Sequence, residues 1–277
     1  YIIRQIKSEP LWINIENGHQ ADVIVLTDAS LEDFSMDMGA IVFKKNENVV
    51  FIAALEENLN ELCDAAELSA ESRKQFSNIM CLEGLTNTIM SYFFGNWAQA
   101  ASLSEWAKDH NLISVERSSI DENPRVAKQR KILAAAPVWP TRYFIDNTSS
   151  LAIFRKRSCS RNNFMAFLAH TTVGCKSDQM SYVRSKLNIA DRTTRRAIGT
   201  ENLSQLIISL ETQGFRTITL PENLFREAVI LTIKIFEDYN CSQSSTYIKS
   251  KEDVMISLAV GCQEIKNKFM KHLQRFL

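Results

Sequence analysis

Runs of apolar, mostly β-branched residues dominate the first part of the chain. Residues 21–26 read ADVIVL, and two more apolar runs follow at 39–43 and 49–55, separated by short polar stretches. Runs of this length between turn residues are typical of strands, and three in succession with short links predict an antiparallel meander. The chain therefore begins with a sheet.

The pattern changes at residue 79, where apolar side chains recur at steps of three and four. Ile79, Leu82, Leu85 and Ile89 fall on one face of a helix, and Glu83 lies beside that stripe. Two more strands are predicted over 138–145 and 180–184, and 216–221 is either a short strand or an extended link. Further helices are predicted over 97–110, 123–136, 149–154, 162–172, 203–210, 225–236 and 254–277.

Acidic residues follow two of the predicted strands. Asp28 stands in TDAS (27–30) after the first strand, and Asp146 stands before Asn147 after the strand 138–145. A carboxylate at the end of a buried strand costs free energy unless a cation or a hydrogen-bond donor compensates it. Asp28 alone is best explained as a turn cap. The same arrangement, an apolar strand followed by an acid, recurs at Asp146 and favours a functional site.

Composition limits the classes of function. The 277 residues carry 32 basic and 32 acidic side chains, so the net charge is zero and a basic surface for nucleic acid must be local. The six cysteines form no CxxC pair, and we expect reduced thiols in an intracellular compartment, without choosing between nucleus, cytoplasm and organelle. No stretch has the length of a membrane span and no signal peptide is recognisable, so no membrane partner is expected.

Four carboxylates stand out by context: Asp28, Glu83, Asp146 and Asp191, which opens a predicted helix. If the strand ends are neighbours and the helices cross them, these groups converge, and like charges a few Å apart raise each other's pKa. Hard divalent ions with oxygen ligands, Mg²⁺ or Mn²⁺, are the natural counter-charge. Two such ions about 4 Å apart are able to activate a water molecule and stabilise the leaving oxygen in phosphodiester cleavage.

Several short blocks carry a family resemblance. They are TDAS at 27–30 with MGA at 38–40, IMCLEGL at 79–85, YFIDN at 143–147, and VRSKLNIADRTTR at 183–195, which contains N-x-A-D-x-x-x-R. In this order they resemble the ribonuclease H domain of retroelement reverse transcriptases, especially the branch that encodes tyrosine recombinases and its pararetroviral relatives.

The resemblance implies an α/β fold of the RNase H-like type. A mixed five-stranded sheet is expected, with an antiparallel meander followed by parallel strands and with helices on its flanks. The chain then divides into an N-terminal lead-in (1–19), an RNase H-like domain (20–198) with an inserted helical segment at about 95–137, and a helical C-terminal extension (199–277).

The resemblance also implies roles for single residues. Asp28 would bridge two Mg²⁺ or Mn²⁺ ions, Asp146 and Glu83 would complete one site, and Asp191 the other, where the attacking water is activated. The implied substrate is the RNA strand of an RNA–DNA hybrid, recognised through its 2′-hydroxyls. The expected substrate contacts, including phosphate contacts from a basic run, are Ser30, Asn147, Arg155, Lys156, Arg157 and Arg161.

Other interpretations stay open at this point. The domain could have kept its core and lost its chemistry, and would then be a scaffold or a nucleic-acid-binding module in a larger complex. An integrase, a transposase or an exonuclease would use the same metal chemistry on DNA. The helices of the C-terminal extension are expected either to pack within the chain or to bind a partner, such as a reverse transcriptase domain of the same polyprotein.

Overall fold

The computed structural model describes residues 23–44, 48–76, 78–94, 141–156, 158–171, 180–194 and 201–243, with a few positions between 261 and 271. The predicted lead-in at 1–19 and the predicted inserted segment at about 95–137 lie outside the described residues. So do the predicted helices at 97–110 and 123–136 and most of the one at 254–277.

A mixed sheet of six strands forms the centre of the part of the chain that is described. The strands are β1 (Val23–Glu32), β2 (Ser35–Lys44), β3 (Val49–Asn58), β4 (Thr141–Ile145), β5 (Met180–Tyr182) and β6 (Arg216–Thr219).

The order of the strands in the sheet is β5-β4-β1-β2-β3-β6. The pairs β1–β2 and β2–β3 are antiparallel, and the pairs β1–β4, β4–β5 and β3–β6 are parallel. The predicted meander and the parallel strands after it are confirmed.

The sixth strand corrects the prediction of five. β6 is only four residues long and pairs with Val49–Ile52 of β3, at the edge of the sheet opposite β5. A run this short has no periodicity that separates a strand from an extended link, and only the open edge of β3 settles its conformation. Part of the segment that was expected to be a helical extension therefore belongs to the sheet.

Helices lie on both faces of the sheet, as expected. The predicted helices that begin near 79, 149, 162, 203 and 225 are all present, most with ends shifted by a few residues. The helices are α1 (Leu59–Ala65), α2 (Ala70–Phe76), α3 (Ile79–Phe94), α4 (Thr148–Lys156), α5 (Asn163–Thr171), α6 (Asp191–Thr194), α7 (Glu201–Thr212) and α8 (Glu222–Gln243).

Alternation of side chains along the strands divides the interior into two cores. Val23 and Val25 of β1 belong to the larger core with α3, α5 and α8, whereas Ile24 and Leu26 belong to the smaller core with α7. The apolar side of α8, including Phe225 and Phe236, is buried in the larger core. None of the described helices is long and apolar enough to cross a lipid bilayer.

The connection between β1 and β2 also differs from expectation. The apolar runs at 21–26 and 39–43 predicted strands with a polar stretch between them, but β1 continues to Glu32 and β2 begins at Ser35. Only Asp33 and Phe34 form the turn, with φ of 46° and 67°. Positive φ at both central residues is the hairpin geometry that fits the twist of the strands, although phenylalanine is not a usual signal for it.

Gly39 allows a close contact between β2 and α6. A Cβ added at Gly39 would lie 1.7 Å from Thr193 Oγ1 and 3.0 Å from Thr194 Cγ2. Gly39 is also the register partner of Asp28 on β1. The missing side chain therefore brings the short helix α6 down onto the sheet beside Asp28.

We expect Gly39→Ala to lower the free energy of unfolding by about 1–3 kcal/mol, because the new methyl group overlaps Thr193 and pushes α6 away. Denaturant unfolding followed by circular dichroism measures this change. Gly84→Ala is the matched control: its Cβ would meet the flexible end of Met165 at 2.9 Å, and alanine gains about 1 kcal/mol of helix propensity there. Equal stability of the two variants would contradict the role of Gly39.

Candidate metal centre

The sheet opens between β1 and β4 at the level of Asp28. The last register pair of these parallel strands is Leu26 with Phe144, and β4 ends one residue later at Ile145. Asp28 and Asp146 each stand two residues beyond that pair, so the register places them side by side. The prediction that Asp146 follows a strand end is confirmed, whereas Asp28 lies within β1, beside the end of its neighbour.

Glu83 reaches the same opening from α3. This helix packs on β1, and every residue from 81 to 91 is buried. One carboxylate oxygen each of Asp28, Glu83 and Asp146 lies within 4.8 Å of the others. Asp28 and Glu83 are 6% exposed, and Asp146 is intermediate. The sequence analysis thus identified three acids that the fold brings together.

Asp191 stands next to this group rather than within it. It is the first residue of α6, which packs on β1 and β2, and its side chain is half-buried. Its oxygens are not among those that lie within 4.8 Å of one another. Its negative charge is nevertheless close enough to raise the pKa of Asp28.

Burial is the main cause of the raised pKa values in the cluster. Desolvation, with the charges of Asp146 and Asp191 added, raises the pKa of Asp28 from 3.8 to about 7. Desolvation, with the charges of Asp146 and Asp28 added, raises the pKa of Glu83 from 4.5 to about 8. The free protein therefore holds protons in this site near neutral pH.

Hydrogen-bond donors offset part of the repulsion on Asp28. Thr194 of α6 donates its hydroxyl hydrogen to Asp28 Oδ2, and a backbone N–H bond from Ala29 acts in the same direction. Asn188, just before α6, donates from Nδ2 to the carbonyl of Thr27 at 3.0 Å. These contacts attach the segment that carries Asp191 to β1 beside Asp28.

Glu83 is held in a similar way from the start of α4. Ser150 is fully buried and donates from Oγ to Glu83 Oε2 at 3.2 Å. Asn147 caps α4, since its Oδ1 accepts from the backbone N–H of Ser149 at 2.9 Å and of Ser150 at 3.1 Å. The side chain of Asn147 also forms a hydrogen bond that lowers the pKa of Glu83.

Some of the residues predicted to contact substrate form hydrogen bonds within the protein, and others are exposed without such a bond being shown. Ser30 Oγ lies 3.1 Å from both Asp37 Oδ2 and the carbonyl of Thr194, and Asn147 is the helix cap described above. Arg155 donates from Nη2 at 2.8 Å and Nε at 3.3 Å to the carbonyl of Met180 on β5. Arg155, Lys156 and Arg161 are exposed, and Arg157 lies outside the described residues.

Sequence reasoning missed the residues that orient the acids. Asn188 and Thr194 lie inside the block 183–195, and Ser150 lies three residues after the block 143–147, but no role was assigned to them. A hydroxyl in the first turn of a helix that directly follows an acid, as in Ser150 after Asp146, was the available signal. The partner of such a hydroxyl is distant in the chain, so local pattern alone could not identify it.

A cation fits the donor set. Oδ1 of Asp146 is buried and accepts no hydrogen bond in the part of the chain that the structure describes. The carboxylates of Asp28, Glu83 and Asp146 form a compact group of hard oxygen ligands, the type that Mg²⁺ and Mn²⁺ prefer. A bound cation would offset the repulsion between them.

We expect the metal-free protein to lose stability as the pH rises from about 4 to about 8. The folded-state pKa values, about 7 for Asp28 and about 8 for Glu83, exceed the ordinary values of 3.8 and 4.5. The stabilising contribution is thus complete below the ordinary values and is lost as the pH passes the raised ones. Thermal melts in chelator across this range measure it, and Mg²⁺ or Mn²⁺ should restore the melting temperature at pH 8.

Glu83→Gln is the control for this pH dependence. The amide keeps the shape and accepts the hydrogen bond from Ser150 but does not ionise, so the melting temperature of the variant should fall less than that of the wild type as the pH rises through the same range. Parallel curves for wild type and variant would show that the carboxylate cluster is not the cause.

Comparison of the chain with protein-family models, curated proteins and solved structures gave no match. The interpretation of the site therefore depends on its own geometry. Carboxylate oxygens from β1, α3 and the end of β4 converge where the sheet opens, and hydroxyl donors orient those of Asp28 and Glu83. The cluster of Asp28, Glu83 and Asp146 is a candidate metal-ion site.

Proposed function

We propose that this chain is a metal-dependent endoribonuclease of the ribonuclease H type, which cleaves the RNA strand of RNA–DNA hybrids with two divalent ions, Mg²⁺ or Mn²⁺. The observation that carries the proposal is the convergence of Asp28, Glu83 and Asp146, with Asp191 beside them. The same four acids were selected from the sequence by their context and their order.

The fold supports an RNase H-like assignment. The resemblance implies an antiparallel meander followed by parallel strands, and β1 to β5 have those directions in the sheet. The acids also stand on the elements that the resemblance implies: a first strand, a helix after the meander, the end of the next strand, and a late helix.

The chain's own residues have separable roles in this proposal. Asp28, on which the charges of both Asp146 and Asp191 act, would be the ligand shared by the two ions, Glu83 and Asp146 would complete one site, and Asp191 would complete the other. When bound, divalent ions supply the positive charge that activates water and stabilises the leaving oxygen of a phosphodiester. Thr194 and Ser150 hold the carboxylates of Asp28 and Glu83 in position.

The energetics favour an active site over an idle one. Two acids with raised pKa values, and a buried acceptor to which no described residue donates, all destabilise the free protein. A domain that served only as a scaffold would be more stable with apolar or amide side chains at these positions. The cost is explained if the cluster binds cations for catalysis.

The proposal extends to an origin in a retroelement polyprotein with a reverse transcriptase domain as partner. The apolar sides of α7 and α8 are both buried in the cores, so the contact would use the outward face of α7, where an apolar side chain is exposed. Ile208 on α7 is 62% exposed.

We expect the purified protein to cleave the RNA strand of a hybrid in Mg²⁺ or Mn²⁺ and Asp146→Asn to reduce the rate by at least roughly a hundredfold, since it removes a ligand of the ions. A gel assay with labelled RNA measures the rate. Circular dichroism establishes that the variant is folded, and calorimetry with Mn²⁺ should show weakened metal binding. A folded wild-type protein that cleaves no hybrid in either metal would disprove the proposal.

Lys74→Ala is the control for the cleavage assay. Lys74 is an exposed residue of α2 whose ion pair with Glu71 spans 3.8 Å at the surface. Its removal changes the net charge by the same magnitude as Asp146→Asn but leaves the cluster untouched. Its cleavage rate should equal that of the wild-type protein.

A further inference from the structure

Residues 182–188 run from the last residue of β5 to a point shortly before α6, and this segment borders the carboxylate cluster at both ends. Tyr182 is in register with Ile145, the residue directly before Asp146. The segment then leads into α6, which carries Asp191 and contacts Asp28 through Thr194. Any extended substrate that places a phosphate at the acids and continues towards β5 must pass over it.

The backbone of this segment is fixed. Val183 donates its N–H to the carbonyl of Ile145 at 3.1 Å and is buried in the smaller core. A single 3₁₀ turn, Ser185–Leu187, follows, and Leu187 N donates to the carbonyl of Arg184 at 2.7 Å. Asn188 then binds the carbonyl of Thr27. The segment is thus a preformed surface rather than a loose loop.

The side chains on this fixed backbone have the composition of a nucleic-acid contact. Tyr182 is 46% exposed, although it follows the buried Met180 on the face covered by α4. Arg184 and Lys186 are exposed, and neither forms an ion pair or a side-chain hydrogen bond in the described part of the chain. Tyrosine, arginine and lysine are common contacts of sugar and phosphate.

Arg155 is less available for the same task. Two of its guanidinium nitrogens are bound to the carbonyl of Met180, which fixes the beginning of β5. Arg184 and Lys186 have no such commitment among the described residues, and both are exposed on the segment that leads from β5 to Asn188. Residues 182–188 therefore offer two uncommitted cations on a fixed backbone, whereas the guanidinium of Arg155 is already bound to the protein.

We propose that Tyr182, Arg184 and Lys186 form the contact surface for the nucleic-acid strand next to the scissile phosphate. The Tyr182 ring packs against a sugar or base, and the two cations bind the neighbouring phosphates. This contact is blind to sequence, and it deepens the proposed ribonuclease function, on which it rests.

The test uses the full chain with Asp146→Asn, which binds without cutting, and fluorescence anisotropy with a labelled RNA–DNA hybrid. Tyr182→Ala should weaken binding roughly tenfold, and Tyr182→Phe should not, because the ring is what packs. Arg184→Ala with Lys186→Ala should lower the slope of log affinity against log salt by about two. Lys74→Ala with Lys234→Ala, exposed lysines of α2 and α8, is the charge-matched control and should change the slope by less than half as much.

The outcomes separate this inference from the proposed function. Binding that depends on Tyr182, in a wild-type protein that does not cleave, would support the contact surface and refute the nuclease. Cleavage and binding that are unchanged in the Tyr182, Arg184 and Lys186 variants would overturn the contact surface and leave the nuclease intact. No measurable binding of the hybrid by the Asp146→Asn protein would also overturn the inference.

Discussion

The main constraint on this fold is that it holds several carboxylates in a small volume that water hardly reaches. Three carboxylates place oxygens within 4.8 Å of one another, and two of these side chains are almost fully removed from water. The protein supplies one hydroxyl and one backbone donor to Asp28, and one hydroxyl and one amide to Glu83. These donors orient the acids but do not neutralise them, because hydrogen bonds of this kind offset only part of the desolvation cost. The remaining deficit of positive charge gives the cluster its preference for hard divalent cations.

The scaffold around the cluster is built to bring separate elements close together. Because β4 ends while β1 continues, the sheet has a gap beside Asp28. Both α3 and α6 pack on β1 at this gap. The absence of a side chain at Gly39 sets the distance of α6, and the capped start of α4 sets the position of Ser150 beside Glu83. Asp28 and Glu83 are therefore oriented by donors from two different helices, α6 and α4, so the geometry of the site depends on how both helices pack on the sheet.

Much of this could be predicted from the sequence, because the informative patterns were local. The apolar strands, the helical stripe from Ile79 and the acid at Asp146 each occupy a few consecutive residues. The tight hairpin was missed because Phe34 adopts a positive φ that its residue type does not suggest, and β6 was left open because four residues carry no period. Thr194 was missed for another reason: its partner is 166 positions away, and no local pattern records such a pairing.

The long separation between Asp28 and Thr194 has a consequence for the order of folding. The β1–β2–β3 meander closes through short turns and can form early, whereas the contact of α6 with β1 closes a loop of most of the chain. Until α6 docks, Asp28 stands on an open strand edge with water around it. The repulsion between Asp28 and Asp191 thus arises only when α6 docks, and a divalent cation would stabilise that docking step while leaving the formation of the meander unchanged.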